Sequence, residues 1–166
     1  MKKLLFGITG LTIGGAERVL VDLVNRLCDK YDITILTIYA KGELEKQLSP
    51  KVKLKSLYDV RYDELSEKEK KLIPLKLFFN KNSVYKNKIK GDYDVEIAFL
   101  EGPITRLFSV KNKNTRKIAW IHNDISLVFG TGIKAKIKKE EDSENKEIRV
   151  INRTDGKTSE ENGKSR

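Results

Sequence analysis

The first part of the chain that could support chemistry is a loop with three glycines, Gly10, Gly14 and Gly15, followed by Glu17 and Arg18. It lies between a short apolar run and a segment with helical spacing of apolar residues. Glycines let the backbone approach a ligand closely, and the free amides and dipole of a helix N-terminus attract phosphate. The loop therefore predicts an anion site. The same glycines could instead make a tight turn, with Glu17 stabilising the helix start through the dipole.

A second candidate site follows the apolar run Lys117–Ile121, where the single histidine, His122, precedes Asn123 and Asp124. Ligands in open α/β sheets bind at the carboxyl ends of the strands. We therefore expect Gly15 and His122 on neighbouring strand ends, facing one cleft. A lone histidine can also be purely structural, held here by a hydrogen bond to Asp124 or Ser126.

Other common sites are disfavoured by the residues at their key positions. A dinucleotide site needs an acidic residue at the end of the second strand, but Tyr39–Lys41 stand there. Gly156–Thr158 resemble the end of a phosphate-binding P-loop, yet Ile151 occupies the position of its first glycine. The single cysteine, Cys28, excludes an internal disulfide and a zinc site built on thiolates.

These candidate residues must be positioned by alternating strands and helices. The apolar positions of the first helix recur at helical spacing, and β-branched or aromatic residues form the second strand, as in a βαβ unit. This pattern predicts an α/β fold, a Rossmann-like parallel sheet with helices on both faces. Strands are expected at Lys3–Thr9, Ile33–Tyr39, Val52–Leu57, Asp94–Leu100 and Lys117–Ile121, with a short helix at Pro103–Val110.

Two charged helices are predicted in the middle of the chain. The first runs from Leu65 to Ile73 and ends at Pro74, because proline interrupts helical hydrogen bonding. The second is a basic amphipathic helix, Leu75–Lys90. It could pack on the sheet with its lysines in water, or attach the protein to an anionic membrane surface. Nucleic acid is not an expected partner, because arginine is scarce there and no aromatic stacking platform is evident.

Composition limits the number of domains and the compartment. The chain has 166 residues with a formal net charge of +10, and 39% of its residues are hydrophobic. We expect one domain at residues 1–139 and a disordered charged tail at residues 140–166, which has few large apolar residues. No apolar stretch approaches the roughly 20 residues of a membrane-spanning helix. The predicted location is cytoplasmic, with any membrane contact peripheral.

The segment Gly14–Val19 after a first strand, together with His122–Asp124 after a later one, resembles the N-terminal domain of family 4 glycosyltransferases. The resemblance covers residues 1–139. It implies a GT-B enzyme, in which two Rossmann-like domains face a cleft and a sugar passes from a nucleotide sugar to an acceptor with retention of configuration. It implies no metal and no cofactor beyond the donor substrate. The N-terminal domain of such enzymes mainly receives the acceptor.

The same resemblance implies roles for individual residues. Gly14 and Gly15 would approach the donor diphosphate, Glu17 would shape the loop or the acceptor site, and His122 would contact the transferred sugar. Arg18, Asn123 and Asp124 are further candidate substrate-binding residues.

Nothing after Lys139 resembles the donor-binding second domain of the family. We therefore expect a glycosyltransferase half that acts on a cell-surface glycan or lipid-linked acceptor and is inactive without a C-terminal domain or partner subunit. The alternative is a non-catalytic, membrane-associated binding subunit of a split enzyme.

Overall fold

The computed structural model describes residues 1–122 and 148–152, and these residues form a parallel sheet. Within this part of the chain the strand order is β3-β2-β1-β4-β5-β6, and every neighbouring pair is parallel. The strands are β1 (Lys3–Ile8), β2 (Asp32–Tyr39), β3 (Lys53–Tyr58), β4 (Val95–Ala98), β5 (Arg116–Ile121) and β6 (Ile148–Asn152). The predicted Rossmann-like α/β fold is confirmed.

Helices cover both faces of the sheet, as predicted. They are α1 (Gly15–Leu27), α2 (Glu67–Phe79), α3 (Lys81–Lys88) and α4 (Pro103–Phe108), with a short 3₁₀ helix at Glu43–Gln47. One core cluster joins α1, through residues such as Leu20, to strand residues such as Phe6. The other joins α2, α3 and α4 to residues such as Leu5, which point to the opposite face. Parallel strands buried on both faces explain the continuous apolar runs in the sequence.

The prediction that a helix ends at Pro74 is wrong, because α2 continues through this proline. Proline removes one backbone donor, but the rest of α2 is held at its start and along its buried side. A capping box begins the helix, in which Ser66 accepts from the Glu69 amide at 3.3 Å and the Glu69 carboxylate accepts from the Ser66 amide at 2.9 Å. Ile73 and Leu77 are buried in the core.

The single amphipathic helix predicted at Leu75–Lys90 is also wrong. The chain breaks at Asn80, which ends α2 and precedes α3. Its backbone angles there, φ −113° and ψ 25°, lie outside the α-helical range. The basic segment therefore contains the end of α2 and all of α3, separated by a break at Asn80.

The prediction of disorder for residues 140–166 does not hold for Ile148–Asn152, which form β6 against β5. Pairing with β6 satisfies backbone groups of β5 that would otherwise be exposed at the sheet edge, and the β-branched residues of this segment favour an extended backbone. The rest of that tail lies outside the described residues, and the domain boundary at residue 139 stays a prediction. Within the described residues, no helix is long and apolar enough to cross a membrane.

A buried polar network fastens α3 to the sheet. Glu96 of β4 and Lys117 of β5 are opposite each other in register, and their side chains form an ion pair of 2.5 Å. The hydroxyl of Tyr85, from α3, donates to Glu96 at 2.5 Å and accepts from the Lys117 ammonium at 3.1 Å. Burial lowers the pKa of Lys117, and burial together with the bond to Glu96 raises the pKa of Tyr85. All three side chains are buried, so the network depends on every member having its partner.

Candidate functional site

The glycine loop leads directly into the N-terminus of α1, as the sequence predicts. Gly14 is the N-cap residue with an extended backbone, and Gly15 is the first helical residue. The amide of Arg18 donates to the Gly14 carbonyl at 3.1 Å. The amides of the preceding turn have no carbonyl to bind within the helix, so they are oriented for an external acceptor. An anion or a carboxylate is favoured at this position.

Gly14 and Gly15 differ in the space that surrounds their Cα atoms. A Cβ atom on Gly14 would collide with the carboxylate of Glu17, which folds back over the start of the helix. A Cβ atom on Gly15 would meet no atom within 4 Å, so open space adjoins this residue. The Glu17 carboxylate is the far end of a flexible side chain and can move aside, so this contact does not by itself require glycine at position 14. Gly15 is the position where a ligand can approach the backbone.

His122 lies at the carboxyl end of β5, but its neighbour there is the end of β4. The expectation that Gly15 and His122 occupy neighbouring strand ends is wrong, because β4 separates β1 from β5. The order of the strands along the chain does not show this arrangement. After β3, at one edge of the sheet, the chain crosses back over β2 and β1 and adds β4 on the other side of β1. His122 still belongs to the same edge of the sheet. Asn123 and Asp124 lie outside the described residues.

The His122 ring is held by aromatic neighbours. It stacks on Trp120 at an interplanar angle of 9° and lies 4.7 Å from the Phe99 ring, measured between centroids. Its backbone amide donates to the carboxylate of Glu101 at 3.3 Å. Glu101 is not among the site residues predicted from the sequence, although it follows β4 at the same edge and meets the rule that selects His122.

A cavity of about 460 Å³ opens at the carboxyl ends of β1, β2 and β3. Of the predicted site residues, Glu17 lines it, whereas Gly14, Gly15, Arg18 and His122 do not. Most of the other residues of its wall are not predicted from the sequence, because they come from three loops without periodic patterns. The lining residues are Thr9–Ile13, Glu17, Tyr39–Glu43 and Arg61–Asp63.

Arg61 ties together two loops of the cavity wall. Its guanidinium donates to Glu43 at 2.7 Å, to Asp63 at 3.0 Å and to the Lys41 carbonyl at 3.4 Å. The bond from Arg61 lowers the pKa of Asp63, while the residue's own backbone amide and then Arg61 lower the pKa of Glu43. Both carboxylates are thus ionised near neutral pH. These pairs are exposed to solvent, so they organise the loops more than they stabilise the fold.

The loop that contains Lys41 and Glu43 is also packed closely against the glycine loop. A Cβ atom on Gly42 would collide with the Leu11 backbone, whose carbonyl also accepts from the Leu44 amide at 2.9 Å. Lys41 has φ 62°, and it is the one non-glycine residue at positive φ in the part of the chain that the structure describes. Such strain is maintained only by the surrounding structure and is common at functional sites. Tyr39, which also lines the cavity, is mostly buried, and this burial raises its pKa.

Comparisons with known proteins agree with a glycosyltransferase relationship. No protein-family model matches the chain. Over 101 residues it is 38% identical to the GalNAc-alpha-(1->4)-GalNAc-alpha-(1->3)-diNAcBac-PP-undecaprenol alpha-1,4-N-acetyl-D-galactosaminyltransferase of Campylobacter jejuni. The match covers 61% of this chain and 26% of that relative, so the chain spans about a quarter of the relative's length. The chain is therefore similar to part of a glycosyltransferase and has a parallel α/β sheet of the kind such enzymes use.

Proposed function

We propose that this chain is the acceptor-side half of a GT-B glycosyltransferase of the family 4 type, which transfers a sugar from a nucleotide sugar to a glycan or lipid-linked acceptor. The observation that carries the proposal is a glycine loop opening at the carboxyl edge of a parallel sheet, in a chain that over 101 residues is 38% identical to a sugar transferase with a lipid-linked acceptor. The donor is a substrate, and the proposed reaction needs no metal or other cofactor from this half.

The proposed roles of the residues follow from their places at this edge. The backbone at Gly15 receives a donor phosphate oxygen, because the space beside it is open and the first-turn amides of α1 are aimed outward. Gly14 lets the Glu17 carboxylate fold over the loop. His122, held by its aromatic neighbours, contacts the transferred sugar farther along the edge. Arg18 adds a positive charge near the donor.

Transfer should require a second domain. A departing nucleoside diphosphate must be stabilised by preorganised charges, and these supply much of an enzyme's rate acceleration. We therefore expect the purified chain to transfer no measurable sugar. The same chain with the C-terminal half of the Campylobacter relative joined to its carboxyl end, here called the fused enzyme, should be active.

The assay follows radiolabelled sugar from a nucleotide sugar into a lipid-linked acceptor. The isolated C-terminal half of the relative is the control for activity that does not come from this chain. Robust transfer by this chain alone would contradict the proposal, and so would a folded but inactive fused enzyme.

One observation favours the alternative of a membrane-associated binding subunit, and it is compatible with the main proposal. Four large apolar side chains on α2 are exposed in water, Phe78 and three that are more exposed: Leu72 by 65%, Leu75 by 51% and Phe79 by 75%. Their spacing of three and four residues places them on one face of the helix. From residue 70 to residue 90 the sequence contains lysines but no acidic residue. An apolar stripe beside lysines matches an anionic lipid surface.

We predict that the full chain binds vesicles containing phosphatidylglycerol and that added salt weakens this binding. Each lysine near such a surface contributes on the order of 1 kcal/mol, and this contribution is screened by salt. Replacing Leu75 and Phe79 together by serine should reduce binding at least about 10-fold, because each buried side chain is worth roughly 1.5–3 kcal/mol.

Vesicle sedimentation measures the bound fraction. Ile13→Ser, which changes an exposed apolar residue outside α2, is the matched control and should bind normally. Binding that is insensitive to salt, lipid charge and the α2 changes would refute the membrane role.

A further inference from the structure

We infer that Glu101 is a positioning residue, which fixes His122 at the carboxyl edge of the sheet. The Glu101 carboxylate accepts a hydrogen bond from the His122 backbone amide at 3.3 Å, so the loop after β4 holds the first residue after β5. The inference rests on the proposed function, in which His122 contacts the transferred sugar. Glu101 acts through His122 and not on the sugar itself.

The loop that carries Glu101 is fixed on both sides. Before it, Phe99 is fully buried, and its amide donates to the Gly7 carbonyl of β1 at 2.8 Å. After it, the Thr105 hydroxyl donates to the Leu100 carbonyl at 2.7 Å, and three buried apolar side chains anchor α4 in the core. A side chain on a fixed backbone loses little further conformational freedom when it holds a partner. Glu101 is therefore well placed to hold one.

Gly102 turns the chain immediately after Glu101. Its φ of 101° lies in the region that favours glycine. The Gly102 carbonyl accepts from the Arg106 amide at 3.1 Å, and Pro103 is the first residue of α4. The chain thus enters α4 directly after Glu101, which keeps this residue at the end of β4 beside the end of β5.

The bond from Glu101 adds a constraint that the contacts of the His122 ring do not supply. The imidazole packs on Trp120 and Phe99, and packing of rings tolerates sliding more than a hydrogen bond does. Regular pairing of β5 ends at Ile121, so His122 is the first residue beyond it. The rings thus set the plane of the imidazole, and Glu101 sets the backbone from which it extends.

NMR on the full chain tests this contact without any need for activity. The chain contains one histidine and one tryptophan, so labelling histidine with ¹⁵N gives a single backbone amide signal, and a nuclear Overhauser contact between the two rings is unambiguous. The protein is purified without a histidine tag. Glu101→Ala should accelerate hydrogen exchange of the His122 amide at least about 10-fold, because one hydrogen bond to a charged group is lost. It should also weaken the contact between His122 and Trp120.

Kinetics of the fused enzyme test the consequence for transfer. Glu101→Ala should lower kcat at least about 10-fold, because a displacement of about 1 Å at a reacting centre can cost about 100-fold in rate. The KM for the nucleotide sugar should change little. Glu101→Ala combined with His122→Phe should be no slower than His122→Phe alone, because a residue that acts only through His122 then has nothing to position.

Two further variants separate the position of the acceptor oxygen from its charge. Glu101→Gln keeps an acceptor oxygen at the same distance from the backbone and should retain most of the rate and of the amide protection. Glu101→Asp keeps the charge on a shorter side chain and should lose more of both. This order of the two variants tests the inference even if Glu101→Ala does not fold.

Asp94→Ala is the matched control. The Asp94 carboxylate accepts from the Lys3 backbone amide at 2.7 Å, at the opposite end of β4, so this change removes the same kind of bond away from the site. It should leave the His122 signals and the rate of the folded enzyme unchanged. The inference is overturned if Glu101→Ala leaves exchange of the His122 amide unchanged, if Glu101→Asp outperforms Glu101→Gln, or if the double variant is slower than His122→Phe.

Failure of this inference is distinguishable from failure of the proposed function. If the fused enzyme transfers sugar and Glu101→Ala transfers it equally fast, the role of Glu101 is wrong and the proposed function stands. If Glu101→Ala releases the His122 amide but the unaltered fused enzyme is folded and inactive, only the proposed function fails.

Discussion

Replacing Gly15 by tryptophan in the fused enzyme should lower the rate of sugar transfer at least about 100-fold and leave the thermal stability of this chain nearly unchanged. The fold should tolerate the new side chain, because a Cβ atom at Gly15 meets nothing within 4 Å. The indole would occupy the space through which a phosphate reaches the first-turn amides. Removal of one preorganised donor from an active site typically costs 10²–10³-fold in rate. Initial rates and circular dichroism melting measure the two effects.

Smaller substitutions in the same region of the fused enzyme distinguish a side chain that blocks ligand access from one that distorts the loop. Gly15→Ala adds only a methyl group and should retain most of the rate. Gly14→Ala should displace only the carboxylate of Glu17, the movable end of a flexible side chain, and leave the backbone of the loop in place. In the same assay, His122→Phe keeps an aromatic ring against Trp120 but removes the imidazole nitrogens, so it should lower the rate without unfolding the sheet. Normal transfer by Gly15→Trp would leave this glycine with a purely structural role.

The largest effect on stability is expected from Glu96→Leu, which should lower the free energy of unfolding by about 3–5 kcal/mol. The change leaves the Lys117 ammonium buried beside Tyr85 without its carboxylate partner. Urea unfolding followed by circular dichroism measures the loss. The variant should regain stability as the pH rises toward the ordinary lysine pKa of about 10.4. In that window the folded Lys117, whose pKa is lowered, binds fewer protons than the unfolded chain does.

A triple variant, Glu96→Leu with Lys117→Met and Tyr85→Phe, is the matched control. It removes the buried charge and the hydroxyl along with the carboxylate, so most of the lost stability should return. If Glu96→Leu alone costs less than about 1 kcal/mol, the network does not hold α3 to the sheet in the way described.

The parts of the fold that the sequence predicts well are those with local, periodic signals. The unit from β1 through α1 to β2 is predicted from three consecutive signals: a continuous apolar run, a loop of glycines, and apolar residues at helical spacing. The placement of Gly15 at the start of α1 follows from the same signals. The helix boundary at Pro74 was wrongly predicted because burial of Ile73 and Leu77 outweighs the loss of one hydrogen bond.

The site was harder to predict because it depends on strand order and on loop conformation. No local pattern in the sequence indicates that β4 lies between β1 and β5. The prediction from the sequence therefore places Gly15 and His122 too close together. The cavity around Tyr62 forms only when loops after three strands meet, and Arg61 binds carboxylates on two of those loops. Pairing of this kind is set by tertiary structure and leaves no periodic pattern in the sequence.

The initial rate of sugar transfer by the fused enzyme, compared with the rates of its two halves assayed separately, tests the central claim most directly. The account predicts incorporation of labelled sugar into a lipid-linked acceptor by the fused enzyme and none above background by either half. It is contradicted if this chain transfers sugar by itself, or if the fused enzyme folds, binds its nucleotide sugar and still transfers nothing.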